Sequence, residues 1–138
     1  MSAGVERFVA AQRDVYAGVL EELRSGHKNG HWIWFIFPQI AGLGRSATSQ
    51  EFAIRSLEEA RIYLAHPILG VRLRECASIV AALEGRSAEE IFGPLDAMKV
   101  RSSMTLFLRA APGDPVFAQV LDRFYDGIPD DATDALLG

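Results

Sequence analysis

Apolar residues recur along most of this chain at the three- and four-residue spacing that is typical of amphipathic helices. The clearest series consists of Tyr16, Val19, Leu20 and Leu23. Gly26 follows this series, at the place where glycine often ends a helix in the left-handed conformation. The pattern therefore predicts a helix that ends before Gly26, with a shorter helix around Phe8 and Val9 preceding it.

Two copies of a capping-box pattern predict the starts of further helices. "SLEE" begins at Ser56 and "SAEE" begins at Ser87. In a capping box the serine and the glutamate each accept a hydrogen bond from the other residue's backbone amide. Between the two boxes, Pro67 suits the first turn of a helix that ends at Gly85. The apolar stripe of this helix consists of Leu69, Leu73, Cys76, Val80 and Leu83.

The last third of the chain repeats the alternation of caps and apolar faces. Asp96 is placed to cap a long helix across "AMKVRSSMTLFLRA". Asp114 and Pro115 are the residue types preferred at the cap and first position of the next helix. "DDATDALL" predicts a short final helix. The apolar face of the helix after Asp114 consists of Phe117, Val120, Leu121 and Phe124.

The segment "HWIWFIFPQI", residues 31–40, is the densest apolar run in the chain. A strand here would bury backbone amides and carbonyls that need partner strands. "MTLFL", residues 104–108, is the one other run with strand character, and its neighbours fit a helix better. We therefore predict a short buried helix or turn that ends near Pro38. Pairing of the two runs as strands is the alternative that the sequence leaves open.

These patterns predict an all-α fold: a single compact domain over residues 1–138, with about six to eight short helices and a buried aromatic segment at 31–40. The length of 138 residues is ordinary for one domain. Hydrophobic residues make up 49% of the chain, which is enough for a packed core and too much for a disordered protein.

Charge and cysteine content narrow the classes of function. The formal net charge of -4 provides no positive field for nucleic acid, so no such partner is expected. Cys76 is the single cysteine, which excludes an intramolecular disulfide and a zinc site built on cysteine pairs. Glu6 and Arg7 precede any long apolar run and no stretch reaches transmembrane length, so we expect a cytoplasmic protein without a membrane partner.

Polar residues around the aromatic segment and on residues 99–105 are the candidates for binding a ligand. We predict that segments 31–46 and 99–105 form one pocket for a phosphate-bearing small molecule or a nucleotide. In such a pocket basic side chains pair with anionic oxygens and an indole stacks on a ring. The candidate ligand-binding residues are Trp32, Trp34, Gln39, Arg45, Ser46, Lys99, Ser102 and Ser103.

His31 is the candidate for proton transfer, because an imidazole titrates near neutral pH. The sequence leaves open whether there is any catalysis; transfer or hydrolysis would use His31 as acid or base. His27, His31 and His66 do not form a metal-ligand pattern, so neither a metal nor another cofactor is expected. The alternative function is a protein–protein interaction module or a homodimer that uses the aromatic segment without catalysis.

Stretches spread over nearly the whole chain resemble a bacterial family of unassigned function whose members are often labelled as calpastatin. The resemblance rests on "RFVAAQ", "HWIWFIFPQI", "GLGRS", "SLEEARIYLAHPILGVRLRE", "IFGPLDAMKVRSSMTLF" and "PDDAT". It implies a compact, mainly α-helical domain and brings no catalytic residue. Asp134 stands where that family more often has an apolar residue. Calpastatin-like inhibitors are long, polar and disordered, so the label does not fit this short chain rich in core-forming residues.

Overall fold

The structure is a computed structural model that describes residues 3–138, and ten helices are found in that part of the chain. They are α1 Ala3–Gln12, α2 Tyr16–Ser25, α3 Ile33–Ile36, α4 Ala47–Glu51, α5 Leu57–Ala65, α6 Leu69–Ala82, α7 Ala88–Phe92, α8 Pro94–Ala110, α9 Pro115–Phe124 and α10 Asp131–Leu137. The predicted all-α fold is confirmed. The one-turn helices α3, α4 and α7 account for the excess over the predicted number.

Helix α8 lies at the centre of the molecule and packs against α3, α5, α7, α9 and α10. Residues 102–107 are all buried. Because six consecutive residues point in every direction around a helix, the middle of α8 is enclosed on all sides. Its first turns remain at the surface, where Leu95 and Met98 are 74% and 67% exposed. Helix α6 completes the core by packing on α2, α5 and α9.

Most of the predicted helix boundaries are confirmed by their hydrogen bonds. Gly26 adopts φ +75° and its amide donates to the Leu23 carbonyl, which ends α2. Ser87 and Glu90 form the complete capping box of α7. Asp114 caps α9 and Asp130 caps α10 by accepting from backbone amides two and three residues later. The signals at Gly26, Ser87 and Asp114 are local in the sequence, which is why pattern alone located them; the cap at Asp130 was not predicted.

The capping box predicted at Ser56 is only half formed. Ser56 Oγ accepts from the Glu59 amide at 3.1 Å. The Glu59 carboxylate accepts from the Arg55 amide instead of the Ser56 amide, and it lies 3.3 Å from the Arg7 guanidinium. Arg7 belongs to α1, so the Glu59 carboxylate forms a tertiary ion pair where the capping box would have used it locally.

Helix α6 begins at Leu69, two residues later than the predicted start at Pro67. The His66 imidazole lies beside this start, and its Nδ1 accepts from the amides of Ile68 and Leu69 at 3.1 and 3.3 Å. The helix ends at Ala82, before the predicted glycine. Its apolar stripe faces the core as expected, and burial raises the pKa of the Cys76 thiol to about 12.

The aromatic segment forms one helical turn, α3, followed by Pro38. Residues 104–108 lie inside α8, so the alternative of two paired strands is wrong. Trp32, Ile33 and Phe37 are buried, as predicted for a core segment. Trp34 and Phe35 are half-buried.

Beyond this turn the chain makes one isolated parallel bridge between Ile40 and Ile54. The Ala41 amide donates to the Ile54 carbonyl at 2.7 Å, and the Ile54 amide donates to the Gln39 carbonyl at 2.8 Å. The bridge brings the two ends of residues 41–53 together. This loop, which contains α4, is here named the lobe. Arg7 supports the lobe by donating to the Glu51 and Ala53 carbonyls.

No helix within residues 3–138 has the length and apolar character needed to cross a membrane.

Candidate functional site

A cleft of about 290 Å³ lies where the lobe approaches the first turns of α8 and α10. We name it the α8 cleft. Residues from α8 that line it are Leu95, Met98, Lys99 and Ser102. Residues that face them are Gln39, Leu43, Gly44, Asp130 and Ala132. The structure therefore brings part of segment 31–46 together with part of segment 99–105, and adds the start of α10.

Lys99 is the cation of this cleft. Its Nζ lies 5.3 Å from the centroid of the Trp34 ring and 3.4 Å from Asp96 Oδ1. The other oxygen of Asp96 lies closer to a second ammonium, 2.7 Å from Lys28 Nζ. Because Lys28 takes the shorter contact, Lys99 is only loosely paired and keeps N–H donors for another partner.

The predicted cap role of Asp96 is wrong, because α8 begins two residues before it. Helix α8 begins at Pro94 without a side-chain cap. Asp96 lies in its first turn, where a carboxylate also interacts favourably with the helix dipole. Its side chain joins Lys28 to α8 and also lies close to Lys99 on the same helix.

Asp130 is the anion of the α8 cleft and also the cap of α10. Its Oδ2 accepts from Ser102 Oγ at 3.0 Å, from Thr133 Oγ1 at 2.6 Å and from the Thr133 amide at 3.1 Å. Its backbone amide donates to Thr105 Oγ1 at 2.8 Å. These bonds fix the carboxylate against α8, and they leave Oδ1 without a donor among the described residues.

Gln39 and Gly44 form the wall of the cleft on the lobe side. Gln39 is positioned by the bridge, since its carbonyl accepts from the Ile54 amide. A Cβ atom on Gly44 would lie 2.3 Å from Ser49 Cβ, so this close approach within the lobe requires glycine. The backbone therefore sets this wall, and the Gln39 side chain is half-buried at its edge.

His31 and Trp32 lie at a different cleft, lined also by Asp14 and Glu22. Trp32 is buried and its Nε1 donates to Glu22 Oε1 at 3.0 Å, while His31 is exposed. Burial raises the pKa of Glu22, but hydrogen bonds from the Gly30 and Asn29 amides and the Trp32 indole outweigh it and keep that pKa below its usual range. Two carboxylates beside His31 make this second cleft unsuited to an anion.

Arg45 and Ser46 are exposed and do not line the α8 cleft. Ser46 caps α4 by accepting from the Ser49 amide at 3.1 Å, so its hydroxyl serves its own helix. The Arg45 guanidinium forms no ion pair or hydrogen bond with any residue that the structure describes. Arg45 directly follows Gly44, so its side chain starts at the edge of the cleft.

Ser103 points away from the cleft although its neighbour Ser102 lines it. Ser103 is fully buried and its Oγ has no hydrogen-bond partner among residues 3–138. Helical spacing placed Lys99, Ser102 and Ser103 on one stripe, but adjacent residues on a helix are about 100° apart. The position of α10 decides which of the two serines faces the cleft.

The sequence reasoning missed Asp130 and the apolar walls provided by Leu43, Leu95, Met98 and Ala132. Asp130 carries a cap signature, and that signal alone gave no reason to place it beside Lys99. The exposed Leu95 and Met98, at positions i and i+3, were recognisable as apolar residues next to a candidate segment. No group of three or more potential metal ligands occurs in the described part of the chain.

Comparison with known proteins identifies the family without naming an activity. A solved structure, that of the conserved hypothetical protein Rv1873 from Mycobacterium tuberculosis, is 53% identical in sequence and matches with a TM-score of 0.95. The match covers 96% of this chain and 95% of that one. No curated protein matches the chain. The model of the family described as "Protein of unknown function (DUF1810)" matches residues 2–137, so the chain belongs to that family.

Proposed function

We propose that this protein binds a small organic anion in the α8 cleft. The observation that supports this most is the composition of the cleft: apolar walls combined with a few polar groups that converge from the lobe, α8 and α10. Small-molecule sites in proteins commonly have this character. The apolar body of the ligand packs on Leu43, Leu95 and Met98, and its anionic group lies against Lys99.

The charges around the cleft favour a singly charged group over a phosphate dianion. Lys99 and Asp130 are the charged residues that line the cleft, and their formal charges cancel, as do those of the neighbouring Lys28–Asp96 pair. A dianion would leave excess negative charge beside Asp130, which is unfavourable. The phosphate-bearing ligand expected from the sequence would need a second positive charge, which Arg45 could supply only by turning toward the cleft. A carboxylate requires no such movement.

The test is a thermal-shift panel of small carboxylates, phosphosugars and nucleotides on the full chain. A ligand at about 100 times its Kd adds roughly 2.7 kcal/mol to the free energy of unfolding. We expect Lys99→Gln to weaken binding of a stabilising carboxylate by roughly tenfold or more. Arg61→Gln, which removes an exposed cation on α5, is the matched control and keeps full affinity.

Two results would overturn the proposal. One is a panel in which no anion raises the melting temperature. The other is a bound anion whose affinity is the same in Lys99→Gln and in the unchanged protein. If phosphates alone bind and Arg45→Gln abolishes their binding, the ligand is the phosphorylated compound expected from the sequence.

A protein contact at the same place is the second candidate function. The aromatic segment is mostly buried, so it offers little surface for the interaction or homodimer considered from the sequence. Leu95 and Met98 are large, exposed and one turn apart, and exposed apolar groups of this kind occur at protein interfaces. Light scattering of the unchanged protein and of Leu95→Ala/Met98→Ala tests it. A dimer that the double variant dissociates would favour this candidate.

A further inference from the structure

We propose that the ligand of the α8 cleft is a zwitterion, an α-amino acid with an aliphatic side chain. This inference rests on the proposed function and narrows the ligand from an organic anion to one that also carries an ammonium group. The carboxylate of the amino acid faces Lys99, its ammonium group faces Asp130, and its side chain packs on the apolar walls.

The free oxygen of Asp130 is the first step in the argument. Oδ2 accepts from the amide and the hydroxyl of Thr133, and the Ser102 hydroxyl, which lies 3.0 Å from Oδ2, is also 3.1 Å from the Met98 carbonyl oxygen. A carboxylate has about four lone-pair sites, two on each oxygen, so Oδ1 can accept further donors. Since Asp130 lines the cleft and Oδ1 has no donor in the described part of the chain, a ligand ammonium group is a suitable partner.

The second step is that Lys99 and Asp130 line one cleft without pairing to each other. The carboxylate that contacts Lys99 is that of Asp96, and no ion pair within the described residues joins Lys99 to Asp130. Charges in a partly apolar site are stabilised by partners of opposite sign. A simple anion satisfies Lys99 but adds repulsion at Asp130, whereas a zwitterion pairs with both.

Size and wall chemistry select the side chain of the ligand. A volume of about 290 Å³ is near the lower end of the roughly 300–1,000 Å³ that is usual for small-molecule pockets. The cleft therefore favours a small ligand, and leucine and methionine are small enough to enter it. Leu43, Leu95 and Ala132 offer apolar contacts to such a side chain. The Gln39 side chain, which forms no hydrogen bond to any described residue, can bind the ligand's polar end.

The experiment compares three compounds of nearly the same shape by isothermal titration: leucine, 4-methylpentanoate and 3-methylbutylamine. The second compound lacks the ammonium group and the third lacks the carboxylate. We expect leucine to bind tightest and both analogues to bind more weakly by roughly tenfold or more. A 4-methylpentanoate affinity equal to that of leucine would refute the zwitterion while leaving the proposed function intact. Absence of binding by all three and by every other anion would refute both.

Asp130→Asn tests the ammonium contact directly. Asparagine is as good a helix cap as aspartate, so α10 is retained, and circular dichroism verifies it. We expect this variant to lose the preference for leucine over 4-methylpentanoate. Asp131→Asn changes the exposed neighbouring carboxylate and serves as the matched control that keeps the preference. A leucine preference that survives Asp130→Asn in a folded protein would contradict the proposal.

Discussion

The two lysines in the described residues share one carboxylate, and their surroundings make them unequal. The Lys28 side chain is 7% exposed and the Lys99 side chain is 28% exposed. Lys28 also donates to the Gly30 carbonyl and lies over the Trp32 ring. Removing a charge partner from a buried ion costs far more than removing one from an exposed ion. Asp96 therefore acts mainly as the counter-ion of Lys28.

Asp96→Asn is expected to lower the free energy of unfolding by about 3 kcal/mol, because it leaves the buried Lys28 ammonium without its anion. Lys99→Gln, which removes the half-exposed partner, should cost below about 1 kcal/mol. Urea unfolding followed by tryptophan fluorescence measures both. Equal losses in the two variants would show that Lys28 does not depend on this ion pair.

At the scale of single elements, glycine has opposite roles in two helices. A Cβ atom on Gly70 in α6 would lie 2.0 Å from the Leu64 carbonyl oxygen, so α5 and α6 approach each other across a glycine. A Cβ atom on Gly18 in α2 would have no atom within 4 Å. The same substitution should therefore change stability in opposite directions.

Gly70→Ala is expected to destabilise the protein by about 2–3 kcal/mol, since backbone atoms must move to admit the methyl group. Gly18→Ala is expected to stabilise it by about 0.5–1 kcal/mol, because alanine is the better helix former at an open position. Thermal unfolding of the two variants provides the comparison. Stabilisation by both would mean that α5 and α6 separate easily.

Helix α10 is attached to α8 by one buried and one exposed set of polar contacts. Thr105 is fully buried; its Oγ1 accepts from the Asp130 amide at 2.8 Å and donates to the Arg101 carbonyl at 2.9 Å. Asp134 forms two hydrogen bonds of 2.9 Å with Arg109, and both side chains are about two-fifths exposed. The Asp134 carboxylate is thus accommodated at the surface of the molecule.

Thr105→Val is expected to cost about 1–3 kcal/mol of unfolding free energy, because the variant leaves the Asp130 amide without its acceptor. Asp134→Asn should cost less than about 1 kcal/mol, as is usual for exposed ion pairs. Denaturant titration of both variants measures the difference. A larger loss for Asp134→Asn would reverse this order and place the attachment of α10 at the surface.

The sequence predicts these elements well where their signals are local and poorly where two distant segments meet. Ser87 and Glu90 identify α7 because the whole capping box spans four residues. The bridge of Ile40 to Ile54 has no repeating pattern and was not predicted. Lys99 and Ser102 were recognised as site candidates from their helix, but Asp130 joins them only through the docking of α10. Tertiary packing likewise separated His31 from the cleft.

Burial of the tyrosines lowers the stability of the whole molecule in alkali. Burial is the largest cause of the raised pKa of Tyr16, Tyr63 and Tyr125. Tyr16 also donates to Glu75, which raises its pKa further. The folded protein therefore keeps these phenols neutral at pH values where the unfolded chain ionises them. Stability from this source is complete below the unfolded pKa near 10 and is lost as pH rises above it.

We expect tyrosinate absorbance to appear only when the protein unfolds in alkali. Above about pH 10 the fully buried Tyr63 alone lowers the free energy of unfolding by roughly 1.4 kcal/mol per pH unit. Parallel titrations by near-ultraviolet absorbance and circular dichroism measure both events. The chain in guanidinium is the control and should titrate near pH 10. Ionisation of all three phenols in a protein that is still folded would contradict the burial described above.

The lobe joins the rest of the molecule through a narrow neck. Only two backbone hydrogen bonds close the Ile40–Ile54 bridge, and the wall that carries Leu43 and Gly44 lies beyond them. Local opening of such a neck requires far less free energy than global unfolding. If the cleft binds a ligand as proposed, we expect an occupant held between the lobe and α8 to slow the exchange of the Ala41 and Ile54 amide protons for deuterium.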